Sequence, residues 1–232
     1  MSTVKTKTTG SSRLIEMGKN VTRALKKHDR VETISSGGLN LYIVQYFMTE
    51  DECRDLIALI DAGSQPSTLY AGSNNIAGFR TSDSCNLDPY HPLVARIEAR
   101  ICGLMGVDRR YGETLQGQRY QVGQQFKPHY DYFFTDQDYW EGERISGGQR
   151  SWTAMIYLNE PINGGQTNFP NAGMSVSPRT AMLVIWNNMD DRGLPDIRTL
   201  HEGGPVTAGT KYIVTKWFRA RFWGQAQPTR NI

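Results

Sequence analysis

From about residue 113 to residue 219 one texture repeats: short runs dense in Val, Ile, Thr, Tyr and Trp, separated by clusters of Gly, Pro and Asn. Many short strands punctuated in this way confine a chain to a sandwich or barrel. Strands are expected near 114–121, 128–134, 151–158, 173–176, 180–186, 205–207 and 210–219. The stretch 135–149 is the longest polar interruption in that half and reads as a loop.

The first half has a different grammar. Leu39–Phe47 reads as a strand. Thr49 with Glu52 three residues on forms a capping box, and Cys53, Leu56, Ile57 and Ile60 follow at helical spacing, with a stop near Gly63. A polar loop fills 64–77. Pro92 suits the first turn of a second helix with Leu93, Val94, Ile97, Ile101 and Leu104 on its apolar face and Gly106 as its stop. Helices first and strands second predicts a mainly β fold with N-terminal helices: one double-stranded β-helix, or jelly roll, packed on two or three helices. The expected organisation is a basic, partly flexible leader (1–38), a single domain (39–226) with helical support over 48–106 and the β core over 113–223, and a short tail (227–232).

Net charge is +3, unevenly placed. Residues 1–30 carry eight Lys/Arg against Glu16 and Asp29, so the basic character belongs to the leader and the remainder is net acidic. A solvated, Ser/Thr/Lys-rich leader is the simplest reading, with an acidic partner such as nucleic acid, or organelle targeting, left open. No apolar stretch is long enough to span a membrane, and the N-terminus lacks the apolar core of a signal peptide. Cys53, Cys85 and Cys102 show no CxxC spacing and are odd in number, which suits free thiols in a reducing, cytoplasmic setting.

Four histidines are present: His28, His91, His129 and His201. His129 and Asp131 stand two apart, so on an extended strand both would point to one side. Two histidines and a carboxylate are the ligand set of a non-haem Fe(II) facial triad, with His201 as the third ligand. The pair alone carries little weight. With acidic residues near a tenth of any chain, one of four histidines has Asp or Glu at i+2 about one time in three, and a surface His–Asp hydrogen bond is the commoner cause.

Five further runs accompany the pair: Tyr120 nine residues before His129; the turn Gly164-Gly165-Gln166-Thr167-Asn168-Phe169-Pro170; Trp186 ending an apolar run; His201 opening a run with Lys211 ten residues on; and Arg80-Thr81-Ser82 after the long loop. Together these resemble the prolyl 4-hydroxylase branch of the 2-oxoglutarate- and Fe(II)-dependent dioxygenases, over roughly residues 40–223. The resemblance implies iron held by His129, Asp131 and His201 at the open end of the jelly roll, and O₂ and 2-oxoglutarate as co-substrates, with succinate and CO₂ released. It also implies ascorbate as reductant. Lys211 would meet the far carboxylate of 2-oxoglutarate, with Tyr120 and Thr167 adding hydroxyls. From spacing alone Lys211 could equally be an exposed strand lysine, and Tyr120 and Thr167 ordinary strand packing.

For the substrate, the resemblance implies a proline-containing peptide, hydroxylated at C4. Arg80 and Ser82 would meet its backbone, Arg150 would reach the target residue, and Trp217 would form an aromatic wall. An arginine and a tryptophan flanking a strand are also ordinary at a sheet rim. Phe126 departs from the pattern: many relatives carry Tyr three residues before the first histidine, so a hydroxyl that could touch substrate is missing. The same machinery acting on another side chain or a small molecule is the alternative within the enzyme class. An idle binding module docking through its basic leader is the alternative outside it. Neither a membrane nor, for an intact triad, a nucleic acid is expected as partner.

Overall fold

The computed structural model describes residues 11–68 and 78–224. In chain order the strands are β1 (Glu32–Ser36), β2 (Leu39–Val44), β3 (Gln65–Pro66), β4 (Asp83–Asn86), β5 (Gln116–Tyr120), β6 (Phe126–His129) and β7 (Arg150–Tyr157). They continue with β8 (Asn163–Gly164), β9 (Thr167–Phe169), β10 (Met174–Val176), β11 (Met182–Asn187), β12 (His201–Gly203), β13 (Val206–Ala208) and β14 (Lys211–Arg219). The helices are α1 (Ser12–Leu25), α2 (Glu50–Gly63), α3 (Pro92–Met105) and α4 (Trp140–Ser146).

Eight strands form the major sheet in the order β1-β2-β11-β7-β14-β5-β4-β3, and four form the minor sheet in the order β10-β9-β12-β6. Every pairing is antiparallel, as the jelly roll requires. Alternation along the strands explains how the major sheet serves two cores. Trp152, Ala154 and Ile156 of β7 pack with Val214 and Phe218 of β14 against Leu25, Leu56, Ile60, Val94, Ile97 and Ile101 of the helices. The alternate residues Met155 and Tyr157 join Trp186, Ile213 and, from the minor sheet, Phe169 in the inter-sheet core. A strand buried on both faces reads as a continuous apolar run, which is how β11 looks in the sequence, while β7 buries Ser151 and Thr153 among its apolar residues.

Local chemistry sets the helix ends. Thr49 and Glu52 form the reciprocal capping box of α2, each side chain bonding the other's backbone N–H at 3.1 Å. α3 starts on Pro92 and ends at Gly106, whose φ of 63° is the left-handed conformation that favours glycine. The three cysteines are free thiols. Among the described residues no helix is long and apolar enough to cross a membrane.

Four expectations need correction. From Ser12 the segment expected as a flexible leader is structured. α1 buries Leu14, Val21 and Leu25 while Lys19, Arg23, Lys26 and Lys27 stay in solvent, and β1 pairs with β2, which itself joins β11. The apolar spacing of α1 decides this, because charge on the outer face of an amphipathic helix does not oppose packing on the inner one. Residues 1–10 and the expected tail lie outside the described residues. Second, the β core begins before residue 113, since β1 to β4 extend the major sheet. Third, the expected loop 135–149 contains α4. Fourth, the strand expected over 128–134 is β6 at Phe126–His129, so Asp131 stands beyond its end.

Candidate metal centre

β6 and β12 run antiparallel with His129 directly opposite His201, and the two imidazole centres are 4.3 Å apart. Asp131 reaches them from the bend after β6, not from a shared strand face. His201 Nε2 lies 3.8 Å from Asp131 Oδ2, and one ligand atom from each residue falls within 4.8 Å of the others. Two donors each about 2.1 Å from one ion stand at most about 4.2 Å apart, so the His201–Asp131 spacing already suits a shared ion.

The backbone selects the coordinating nitrogens. His129 Nδ1 is 2.8 Å from the carbonyl of Lys127, and His201 Nδ1 is 2.9 Å from that of Thr199. Each Nδ1 therefore carries the proton and donates it, which leaves Nε2 as a free lone pair. Burial, helped by the neighbouring His201, pushes the His129 pKa down to about 3, so its ring stays neutral and able to bind a metal. For Asp131 burial acts upward, but His201, His129, Arg150 and the Thr153 hydroxyl together outweigh it, and its pKa is lowered. Thr153 donates to Asp131 Oδ2 at 2.6 Å. Phe126 stacks flat on His129 at 3.5 Å, and His201 sits between Phe169 and Trp186. Two imidazoles that can present Nε2 and a carboxylate on one side of a pocket fit a facial Fe(II) site.

The pocket lies between the sheets. Lys211, Ile213, Thr215 and Trp217 line it from alternate positions of β14, Gln118 and Tyr120 from β5, and Phe126, Thr167 and Gly203 from the minor sheet. Lys211 is 1% exposed, and among the described residues its ammonium has no carboxylate partner. It faces the rings of Tyr120 and Tyr157, at 5.2 and 5.3 Å, and burial lowers its pKa to about 7. Gly165, at φ +75°, makes room for it: a Cβ there would stand 3.1 Å from Lys211 Cδ. A buried cation without a counter-ion calls for an anionic ligand. The Tyr120 hydroxyl donates to Gln118 at 2.7 Å, and Thr167 accepts from Tyr157 at 2.6 Å, so both hydroxyls already have partners within the protein.

Of the expected substrate residues, Phe126 and Trp217 line the pocket and Ser82 is buried. Arg80 is bonded to Ser82 and Gln116, and its guanidinium lies 4.9 Å from the Phe126 ring centre. Arg150 makes a two-pronged ion pair with Glu113, at 2.6 and 2.7 Å, and lies 4.1 Å over Trp217. Arg219, 1% exposed, approaches the same Glu113 oxygen at 2.7 Å, off the line of a hydrogen bond, and pairs with Glu143 of α4. Sequence reasoning missed Gln118, Thr153, Glu113 and Arg219. Strand parity could have found the first, two residues before Tyr120. Nothing local marks the other three.

A family model described as the 2OG-Fe(II) oxygenase superfamily matches residues 115–219. The chain is 33% identical over 82% of its length to a probable prolyl 4-hydroxylase 8 of Arabidopsis thaliana, covering 72% of that protein. It is 36% identical over 74% of its length to prolyl 4-hydroxylase 5 of the same plant, of which it covers 65%. It also matches the bovine prolyl 4-hydroxylase subunit alpha-1 at 36% identity over 67% of its length, spanning only 29% of that relative. Among solved structures it resembles a viral collagen prolyl hydroxylase from Paramecium bursaria Chlorella virus-1 in complex with 2OG. There the TM-score is 0.62 and the identity 25%, with 77% of this chain and 95% of that one covered.

Proposed function

This chain belongs to the prolyl 4-hydroxylases of the 2OG-Fe(II) oxygenase superfamily, and we propose that it hydroxylates proline in a peptide, at C4, with conversion of 2-oxoglutarate to succinate and CO₂. One observation carries the reading: His129, Asp131 and His201 share a pocket with a buried lysine that has no counter-ion among the described residues. Bound Fe(II) with 2-oxoglutarate and O₂ supplies the oxidising chemistry, with ascorbate as the reductant that keeps the metal in use. The chain does the rest. His129 and His201 would present Nε2 to the metal, Asp131 would supply the negative charge, and Lys211 would hold the far carboxylate of the co-substrate, with Tyr120 and Thr167 beside it.

A peptide would enter over the rim. The indole of Trp217, under the Arg150 guanidinium, offers a flat apolar face to a proline ring. Arg80 and Ser82 would meet carbonyls of its backbone. Phe126 lies between Arg80 and His129 and offers no hydroxyl, so the peptide is positioned there by ring contact and the arginine.

The test is turnover of 2-oxoglutarate by the iron-loaded protein with proline-rich peptides, read by succinate release and by mass spectrometry of the peptide. One added oxygen on proline, abolished in His129→Ala, is the expected result. Succinate release with oxygen on another residue would overturn the proline assignment alone, and no succinate under any condition would overturn the enzyme reading.

A further inference from the structure

A hydrogen-bonded circuit outside the pocket lining joins two of the three metal-ligating side chains, and Asn188 is its keystone. Asn188 follows β11 and is wholly buried, as are Thr153 and Thr199. Its side-chain Nδ2 donates to Thr153 Oγ1 at 2.9 Å, and Thr153 donates in turn to Asp131 Oδ2 at 2.6 Å. On its other side the backbone carbonyl of Asn188 accepts from the N–H of Asp196 at 3.0 Å. The Asp196 carbonyl accepts from Thr199 Oγ1 at 2.7 Å, and the Thr199 carbonyl meets His201 Nδ1 at 2.9 Å. Asp131 and His201 are thus held from behind by one chain of bonds through β7, the end of β11 and the turn before β12.

The direction of the bonds matters. A threonine hydroxyl has one proton. Because Asn188 donates to Thr153 Oγ1, that oxygen must use its own proton on Asp131. A side chain that offered only an acceptor there would compete with Asp131 for the proton. The opposite end of the same amide supports a role in positioning: Asn188 Oδ1 is buried with no hydrogen-bond partner among the described residues. Leaving a buried carbonyl unpaired is destabilising, a cost that packing alone does not explain when an apolar residue could fill the space.

We propose that Asn188 is a positioning residue of the metal centre, acting through Thr153 to fix the plane of the Asp131 carboxylate. The proposal rests on the metal reading above. It assigns Asn188 no contact with metal, co-substrate or peptide. Groups that orient a ligating side chain from behind commonly control metal affinity by 10–100-fold.

The test uses Mn(II) as the probe, titrated into the full chain by electron paramagnetic resonance, alongside thermal melting of the metal-free protein. Asn188→Ala and Thr153→Val should weaken Mn(II) binding by about 10–100-fold. Thr153→Ser, which keeps the hydroxyl, should bind close to wild type. Melting curves that fall in Asn188→Ala and Thr153→Val while Mn(II) affinity stays at the wild-type value would overturn the proposal and leave the circuit merely structural. If Asn188→Ala does not fold, the Thr153→Val and Thr153→Ser pair decides by the same readout. A wild-type chain that binds no Mn(II) would overturn the metal reading itself, a failure distinct from unaltered affinity in the variants.

Discussion

Lys211 stands directly opposite Tyr120 in the β14–β5 ladder, with its ammonium 5.2 Å from the centre of the tyrosine ring. The neighbouring β7 adds Tyr157 at 5.3 Å, so the lysine is sheathed by π faces. Aromatic faces attract a cation but do not neutralise it. The buried ammonium therefore carries a desolvation cost, which an anionic ligand bound beside it would relieve.

Lys211→Met should remove that cost and the binding site together. The metal-free variant is expected to melt at a higher temperature than wild type, because an unpartnered buried charge is replaced by an apolar side chain of similar length. Titration of the same variant with 2-oxoglutarate should show no binding. A lower melting temperature would mean that Lys211 is paired in solution.

The wild-type pH dependence follows from the same lysine. Its folded pKa, about 7, is below the ordinary value of 10.5. Between those values the unfolded chain binds more protons than the folded one, so this group makes stability rise with pH from about 7 to about 10.5. Below pH 7 its penalty is complete. Urea denaturation of the metal-free protein from pH 6 to 10 should show that rise, and Lys211→Met should lack it. Binding of 2-oxoglutarate should run the other way, weakening above neutrality as the lysine loses its proton.

Glu113 is the shared counter-ion of Arg150 and Arg219. Glu113→Ala leaves two guanidinium groups in a protein interior with one carboxylate fewer, and a loss of about 3 kcal/mol is expected. Urea denaturation measures it. Because Arg150 also loses its anchor over Trp217, the KM for peptide should rise while the affinity for 2-oxoglutarate stays unchanged.

Gly117 sits where β5 passes under α2. A Cβ built there would overlap the Ile60 side chain and stand 3.2 Å from Cys85 Sγ. Gly117→Ala should therefore cost about 1–3 kcal/mol by overpacking. The expected readout is a lowered midpoint of urea denaturation with an unchanged slope.

The parts of the fold that local physics governs could be read directly from the sequence. The Thr49–Glu52 box and the Pro92–Gly106 bounds of α3 are written in a few adjacent residues, and the period of two puts Lys211 and Trp217 on one face of β14. Leu14, Met17, Val21 and Leu25 already held the helical period of α1, but the density of lysine and arginine beside them drew the reading toward a solvated leader. By itself the sequence determined a β-rich jelly roll with helices on one side, and named the three side chains that meet as a candidate metal site. Tertiary structure alone decided that Asp131 reaches that site from a bend beyond β6, that Lys211 is buried with no counter-ion among the described residues, and that Glu113 joins Arg150 to Arg219. It also decided that Asn188 stands behind Asp131 through Thr153. These are contacts between residues 22 to 106 positions apart. No local propensity encodes them, because each depends on which strands the sheets place side by side.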